Sequence, residues 1–226
     1  MDLICRIAAP EQLAAVLEAG VDVVQCGFAE LPDADPRTAQ RCGERALEEA
    51  LAITHAAGRR LYLAIDGPMP DGAKEPWSRA VDRAVALQVD ALVVSDIGGL
   101  AYIAERHPTV RRHSCLPLKA ADTAHIDFLV EAFDIQRVLL PAGFLVEEVV
   151  QRARSSRCEV EVAARATAIC RTWMDADRTR PSLDMLGHFE RLEAAGVAGL
   201  RLEGTPPGPE LGRIIAGLRQ PAASAA

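Results

Sequence analysis

A carboxylate that closes an apolar run can orient a substrate hydroxyl or move a proton, because the backbone on one side of it is fixed while the other side opens to a loop. Glu203 is placed in this way, after Gly199-Leu200-Arg201-Leu202 and before Gly204-Thr205-Pro206-Pro207-Gly208. Gln25 ends a second apolar run, Asp66 a third, and Ser95 and Asp96 a fourth, while Arg165 follows a seventh and Arg201 lies within the last. The two arginines suit a carboxylate or phosphate, which a guanidinium meets with paired N–H groups. Gln25 and Asp66 suit substrate hydroxyls. Asp66 precedes Gly67-Pro68 and Asp96 precedes a helix, so each can equally cap backbone amides. His113 sits inside a short run between Arg112 and Ser114, where its ring must face a core or a cavity; it reads as a base, a ligand or a satisfied core histidine.

Six cysteines (Cys5, Cys26, Cys42, Cys115, Cys158, Cys170) are scattered with no CxxC pair. Four of them, Cys26, Cys42, Cys115 and Cys170, fall at or after strand ends, and four thiolates are what an iron–sulfur cluster needs, but their spacing follows no local ligand pattern. Buried thiols are the alternative. A cysteine nucleophile with His113 as base is conceivable, although no neighbouring residue marks an activated thiol. The turn after the last strand is rich in proline, which lacks amide donors, so a phosphate cradle there is disfavoured.

The elements that must position these groups follow from a repeated phrase, a helix stopped by Gly or Asp and followed by a short Val- or Leu-rich run. It occurs at 17–27, 87–98, 129–143 and 192–204. These runs lack period-two alternation, as expected of strands buried on both faces. Filling the gaps predicts strands near 3–8, 22–27, 61–66, 91–96, 111–116, 137–141, 159–164 and 199–203. Helices are predicted near 10–19, 40–57, 77–88, 98–106, 123–133, 145–155, 183–195 and 208–219. Eight strand-plus-helix units predict a single (β/α)8 TIM-type barrel over 1–220, with 221–226 as a frayed tail. A doubly wound open sheet is the rival, but no GxGxxG turn follows the first strand. Long connections at 28–39, 67–76 and 170–182 all follow strands, which puts them on the C-terminal face, where barrels build their sites.

With 25 Lys and Arg against 32 Asp and Glu the formal charge is -7, which disfavours nucleic acid and leaves a small molecule as the expected partner. No apolar stretch is long enough to span a bilayer, and no export signal opens the chain, so a cytoplasmic address is expected.

Several phrases, in order, resemble the collagenase-like peptidase family of unknown mechanism, family thirty-two. They are Ile7-Ala8-Ala9-Pro10 with Leu17-Glu18-Ala19-Gly20-Val21-Asp22, Val89 to Gly98, Arg112-His113-Ser114-Cys115, and Ala195 to Gly204. Cys42 in Arg41-Cys42-Gly43-Glu44-Arg45, and Glu159-Val160-Glu161-Val162 leading to Arg165, look nearest to the short UbiV/UbiU-type members. That resemblance implies a barrel acting in oxygen-independent hydroxylation of an aromatic or quinone-type metabolite, with an iron–sulfur cluster for which Cys42 and Cys170 would be ligands. It also implies a homologous barrel partner, which keeps open a scaffold role beside an active homologue or a homo-oligomer. Peptidase activity, which the family name suggests, is a third reading. In the UbiV/UbiU type the segment after the seventh strand brings three cysteines; here it holds Cys170 alone.

Overall fold

The computed structural model describes residues 1–31, 41–65, 74–115, 123–140, 144–165 and 185–220, except for the side chains of Arg41 and Arg165. Its strands are β1 (Asp2–Arg6), β2 (Val23–Phe28), β3 (Arg41–Cys42), β4 (Arg60–Ile65), β5 (Ala91–Val94), β6 (Arg112–Ser114), β7 (Arg137–Leu140), β8 (Glu159–Arg165) and β9 (Gly199–Glu203). The helices are α1 (Leu13–Ala19), α2 (Glu44–Ala56), α3 (Lys74–Ala86), α4 (Ile97–Arg106), α5 (Thr123–Phe133), α6 (Val146–Ser155), α7 (Phe189–Ala194) and α8 (Pro209–Arg219). All strand pairs are parallel, and because β1 pairs with both β2 and β9 the sheet closes into an eight-stranded barrel, with β3 added beside β2. Closure removes both sheet edges, which an open doubly wound sheet would have left exposed.

The elements follow their local chemistry. α1 stops at Gly20, whose φ of +91° belongs to the left-handed region that glycine enters without a side-chain clash. The helices expected at 10–19, 40–57 and 183–195 are shorter than their apolar spacing suggested, and the second shows why. Arg41 and Cys42 pair with Gly27 and Phe28 as a strand, and the helix begins only after Gly43, whose extended backbone breaks the run.

Alternate strand residues face opposite ways. Leu3, Val24, Leu63, Leu92, Val138 and Leu200 look outward into the main core, where Leu47, Trp77, Leu100, Ile126 and Leu211 of the helices cover them. Each large aliphatic or aromatic side chain buried there contributes about 1.5–3 kcal/mol. Ile4, Val23, Tyr62, Ala64, Ala91 and Val93 form a second cluster with Cys115, inside the barrel. The two clusters correct the expectation of unpatterned strands: Glu159-Val160-Glu161-Val162 and Arg60-Leu61-Tyr62-Leu63 do alternate, because much of the barrel interior is polar. Residues 221–226, the expected tail, fall outside the described residues.

Candidate functional site

The strand register stacks the inward residues in layers of four, drawn from alternate strands. At the N-terminal end lie Asp2, Arg60, Arg111 and Glu159. Above them come Val23, Ala91, Arg137 and Gly199, then Ile4, Tyr62, His113 and Glu161. The fourth layer holds Gln25, Val93, Leu139 and Arg201, and the fifth Arg6, Ala64, Cys115 and Ala163. Gly27, Ser95 and Glu203 stand at the mouth.

The lower layers form a charged plug. Arg137 donates from Nε to Glu159 Oε2 at 2.8 Å and from Nη2 to Asp2 Oδ2 at 2.9 Å, and Arg60 Nη2 donates to Asp2 Oδ1 at 2.7 Å. Arg111 holds both oxygens of Glu159 at 2.9 Å. Burial raises the Asp2 carboxyl pKa, but Arg137 and Arg60 together outweigh it and hold it below its ordinary value. Glu159 is lowered in the same way, with the charges and hydrogen bonds of Arg137 and Arg111 outweighing burial. Gly199 makes this packing possible: a Cβ there would come within 3.0 Å of Arg137 Nη1 and of Ile4 Cδ1, and 3.1 Å of Glu161 Cγ.

His113 belongs to this plug. Its ring stands edge-on to Tyr62 with centroids 4.8 Å apart, and its Nε2 accepts from Arg111 Nε at 3.1 Å. That bond puts the ring hydrogen on Nδ1, which is buried without a partner. Burial, then the charges of Arg137 and Arg111, drive its pKa down to about 2. A neutral imidazole with its acceptor nitrogen occupied donates a hydrogen bond but takes no proton, so the geometry does not support His113 as a base.

Over the plug lies a buried ion pair absent from the sequence-level candidates. Glu161 Oε1 accepts from Arg201 Nε at 3.0 Å and Nη2 at 2.8 Å, and its Oε2 is 3.5 Å from Arg137 Nη1. Burial works against the Arg201 charge, but Glu161 and the other acidic neighbours outweigh it and raise its pKa above the usual guanidinium value. Gln25, in the same layer as Arg201, is 1% exposed, and its amide oxygen has no hydrogen-bond partner. The layers above are less deeply buried. Leu139, Ala163, Cys115, Ser95 and Glu203 are half-buried, whereas their outward neighbours Val138, Leu140, Val162 and Ala164 are buried. Among the described residues exposure therefore rises toward the C-terminal end of the barrel, which forms a bowl over the buried Gln25, Val93 and Arg201. Among the described residues the Glu203 carboxylate, at the rim of this bowl, makes no hydrogen bond or ion pair.

The register thus sets Gln25 and Arg201 in one layer, with Glu203 above it, where its charge acts on Arg201, and His113 below. Asp96 is elsewhere. Its carboxylate accepts from Gly99 N at 2.8 Å and caps α4, and alternation turns it away from the lumen. Arg165 pairs in register with Glu203 at the end of β8, and its side chain is outside the described atoms. Asp66 and Cys170 are outside the described residues. Cys42 does not face the lumen. It is buried beside Cys26 in the outer core, where a hydrogen bond from Cys26 and then burial push the Cys26 thiol up, while the same bond pulls the Cys42 thiol down. Cys5 is buried in the outer core, Cys115 faces the lumen, and Cys158 precedes β8. Among the described residues only two thiols adjoin, and no group of three or more His, Cys, Asp or Glu could hold a metal ion. This arrangement does not fit a four-thiolate cluster.

Glu161, Arg137 and Tyr62 are not among the residues singled out from the sequence, because each lies deep in its strand and ends no apolar run. The alternation Glu159-Val160-Glu161-Val162 was the available signal, since charges at every second position of a buried strand must share one face.

Solved structures share this fold. Phosphoribosyl anthranilate isomerase, solved in complex with reduced 1-(o-carboxyphenylamino)-1-deoxyribulose 5-phosphate, is 9% identical with a TM-score of 0.59, and 96% of each chain is covered. Tryptophan synthase from M. tuberculosis is 15% identical with a TM-score of 0.62, covering 97% of this chain and 93% of that one. The U32 peptidase Mk0906 is 15% identical with a TM-score of 0.61, covering 92% of this chain and 94% of that one. At such identities the likeness is one of fold. The described helices include none long and apolar enough to cross a membrane. The family model of peptidase family U32 matches residues 8–170, most of the barrel, and the chain belongs to that family.

Proposed function

We propose that this chain is an enzyme, or the subunit of one, that modifies a small molecule held in the open end of the barrel. Glu203 moves a proton there, on a group oriented by Arg201 and Gln25. The observation that carries the reading is the half-buried Glu203 carboxylate, which makes no hydrogen bond or ion pair among the described residues and acts electrostatically on Arg201, a buried guanidinium already fixed by Glu161. A fixed cation below and a free acid/base at the rim give a substrate both an anchor and a proton acceptor. Oxygen-independent hydroxylation of an aromatic or quinone-type metabolite is the reaction class we assign, on the resemblance of the Cys42 and Glu159 phrases to UbiV-type members. This chain's described residues supply binding and proton handling to such a reaction.

Peptide hydrolysis is less well supported. Cys115 and His113 lie on the same inward face of β6, but His113 has its Nε2 occupied by Arg111 and cannot activate a thiol. A scaffold role beside an active homologue is the second reading, favoured by the pairing of only two thiols among the described residues.

Metabolite profiling by mass spectrometry of a deletion strain, complemented with wild type or Glu203→Gln, tests the proposal. One metabolite is expected to accumulate in the deletion strain and a product one oxygen heavier to vanish, with rescue by the wild type only. Equal rescue by Glu203→Gln would overturn the acid/base role and favour the scaffold.

A further inference from the structure

We infer that Gln25 sets the specificity of the bowl by taking a hydrogen bond from the molecule bound there, so that the substrate is neutral and enters with an O–H or N–H donor foremost. The inference rests on the C-terminal end of the barrel being the substrate site, and it names the class of group bound at its floor.

Three observations carry it. The first is an acceptor with nothing to accept. Val24 and Cys26 pack into the outer core, which turns Gln25 between them into the lumen, and there its side chain is 1% exposed with an amide oxygen that has no hydrogen-bond partner. Buried carbonyl oxygens are satisfied in nearly every protein, by a donor of the chain, a water or a ligand. The neighbouring guanidiniums do not supply the bond: Arg201, in the same layer, turns Nε and Nη2 to Glu161, and Arg6, paired in register with Gln25, leaves the amide oxygen without a donor. A carboxylate or an ether brings only lone pairs and cannot fill this place, whereas a hydroxyl or an N–H can. The second observation is room. The next inward residue on β2 is Gly27, which has no side chain, and its partner in register on β4 is Ala64, so nothing larger than a methyl group stands over the amide on these two strands. The third is charge. Among the described inward side chains above the plug, Arg6 and Arg201 match Glu161 and Glu203 one for one, and the positive surplus of the plug lies on Arg60 and Arg111, 41% and 40% exposed, where water and salt screen it. A neutral molecule therefore suffices at the floor.

The test measures binding, so its outcome is independent of turnover. Benzyl alcohol and benzamide carry the donor, while benzyl methyl ether and N,N-dimethylbenzamide keep the ring and the acceptor oxygen without it; all are titrated into the full-length protein by ligand-observed nuclear magnetic resonance. The alcohol is expected to bind about fivefold or more tightly than its ether, or benzamide than its dimethyl derivative, since the analogue without the donor leaves the Gln25 oxygen unpaired. Which pair shows the preference tells a hydroxyl from an amide donor. Gln25→Leu, which replaces the amide by an apolar group of similar size, should bring that ratio to about one by tightening the analogue without the donor, with the urea midpoint at or above that of wild type; Gln25→Met should do the same. A Gln25 that only supports the fold would lower the midpoint and leave the ratio unchanged. Equal affinities within both pairs, as a water resident at Gln25 would give, no binding by any of the probes, or a preference that survives Gln25→Leu and Gln25→Met would each overturn the inference. Any of these results beside a strain that Glu203→Gln fails to rescue would leave the proposed function standing; a donor preference lost in Gln25→Leu beside full rescue by Glu203→Gln would overturn the acid/base role and leave Gln25 as the specificity residue.

Discussion

Replacing Glu161 by glutamine should destabilise the barrel far more than its single-atom change in shape would suggest. The carboxylate accepts two hydrogen bonds from Arg201, at 3.0 and 2.8 Å, and lies 3.5 Å from Arg137, and none of the three residues is more than 5% exposed. The amide keeps one acceptor oxygen but turns an N–H group toward two guanidiniums, leaving buried positive charge unpaired. Breaking a buried pair from one side costs about 3–5 kcal/mol. For a chain of this length that corresponds to a fall in melting temperature of about 6–20 °C. Removing the Arg201 charge as well relieves part of the cost, so the double variant Glu161→Gln/Arg201→Gln should be more stable than the sum of the single effects by about 0.5–3 kcal/mol. Urea denaturation of the four proteins gives the cycle. Additive effects, or a Glu161→Gln variant within about 0.5 kcal/mol of wild type, would refute the reasoning, because such values belong to exposed side chains.

Other consequences follow from the same packing. Gly199→Ala should cost about 1–3 kcal/mol by overpacking the plug, whereas Gly217→Ala on α8, where a Cβ meets nothing within 4 Å, should stabilise by about 1 kcal/mol; thermal melts showing the same sign for both would contradict the layered interior. Asp96→Ala should cost about 1 kcal/mol through the lost cap on α4, and a urea midpoint equal to that of wild type would contradict the cap. Unfolded His113 takes a proton near 6.5 but the folded ring only near 2, so below 6.5 the unfolded state binds more protons. Stability present above that pH is therefore lost as the pH falls, and His113→Gln should flatten the acid limb of the stability profile by about 1.4 kcal/mol per pH unit. Parallel limbs between about pH 6 and pH 4 would show that His113 is not held neutral.

The barrel was readable from the sequence because strand positions depend on short Val- and Leu-rich runs and glycine stops, which are local. The proposed site was readable only in part. Gln25, Arg201 and Glu203 stand out in the sequence because they end or lie in strands, but whether a side chain faces lumen or helix depends on a register that neighbouring strands impose. Asp96 and Cys42 look like site residues in sequence and turn outward by that parity. Glu161 and Arg137, deeper in their strands, hold the site in place. Gly43 explains the late start of α2, since apolar spacing alone does not register a backbone that turns extended at Cys42 and Gly43.

Alkylation mapped by mass spectrometry tests most directly the claim that solvent and substrate reach into the barrel from its C-terminal end. Cys115 lines the bowl half-buried, while Cys158, equally half-buried, lies at the opposite end of the barrel. The account predicts that iodoacetamide modifies Cys115 in the native protein. A native protein in which Cys115 stays unmodified while Cys158 reacts would contradict it.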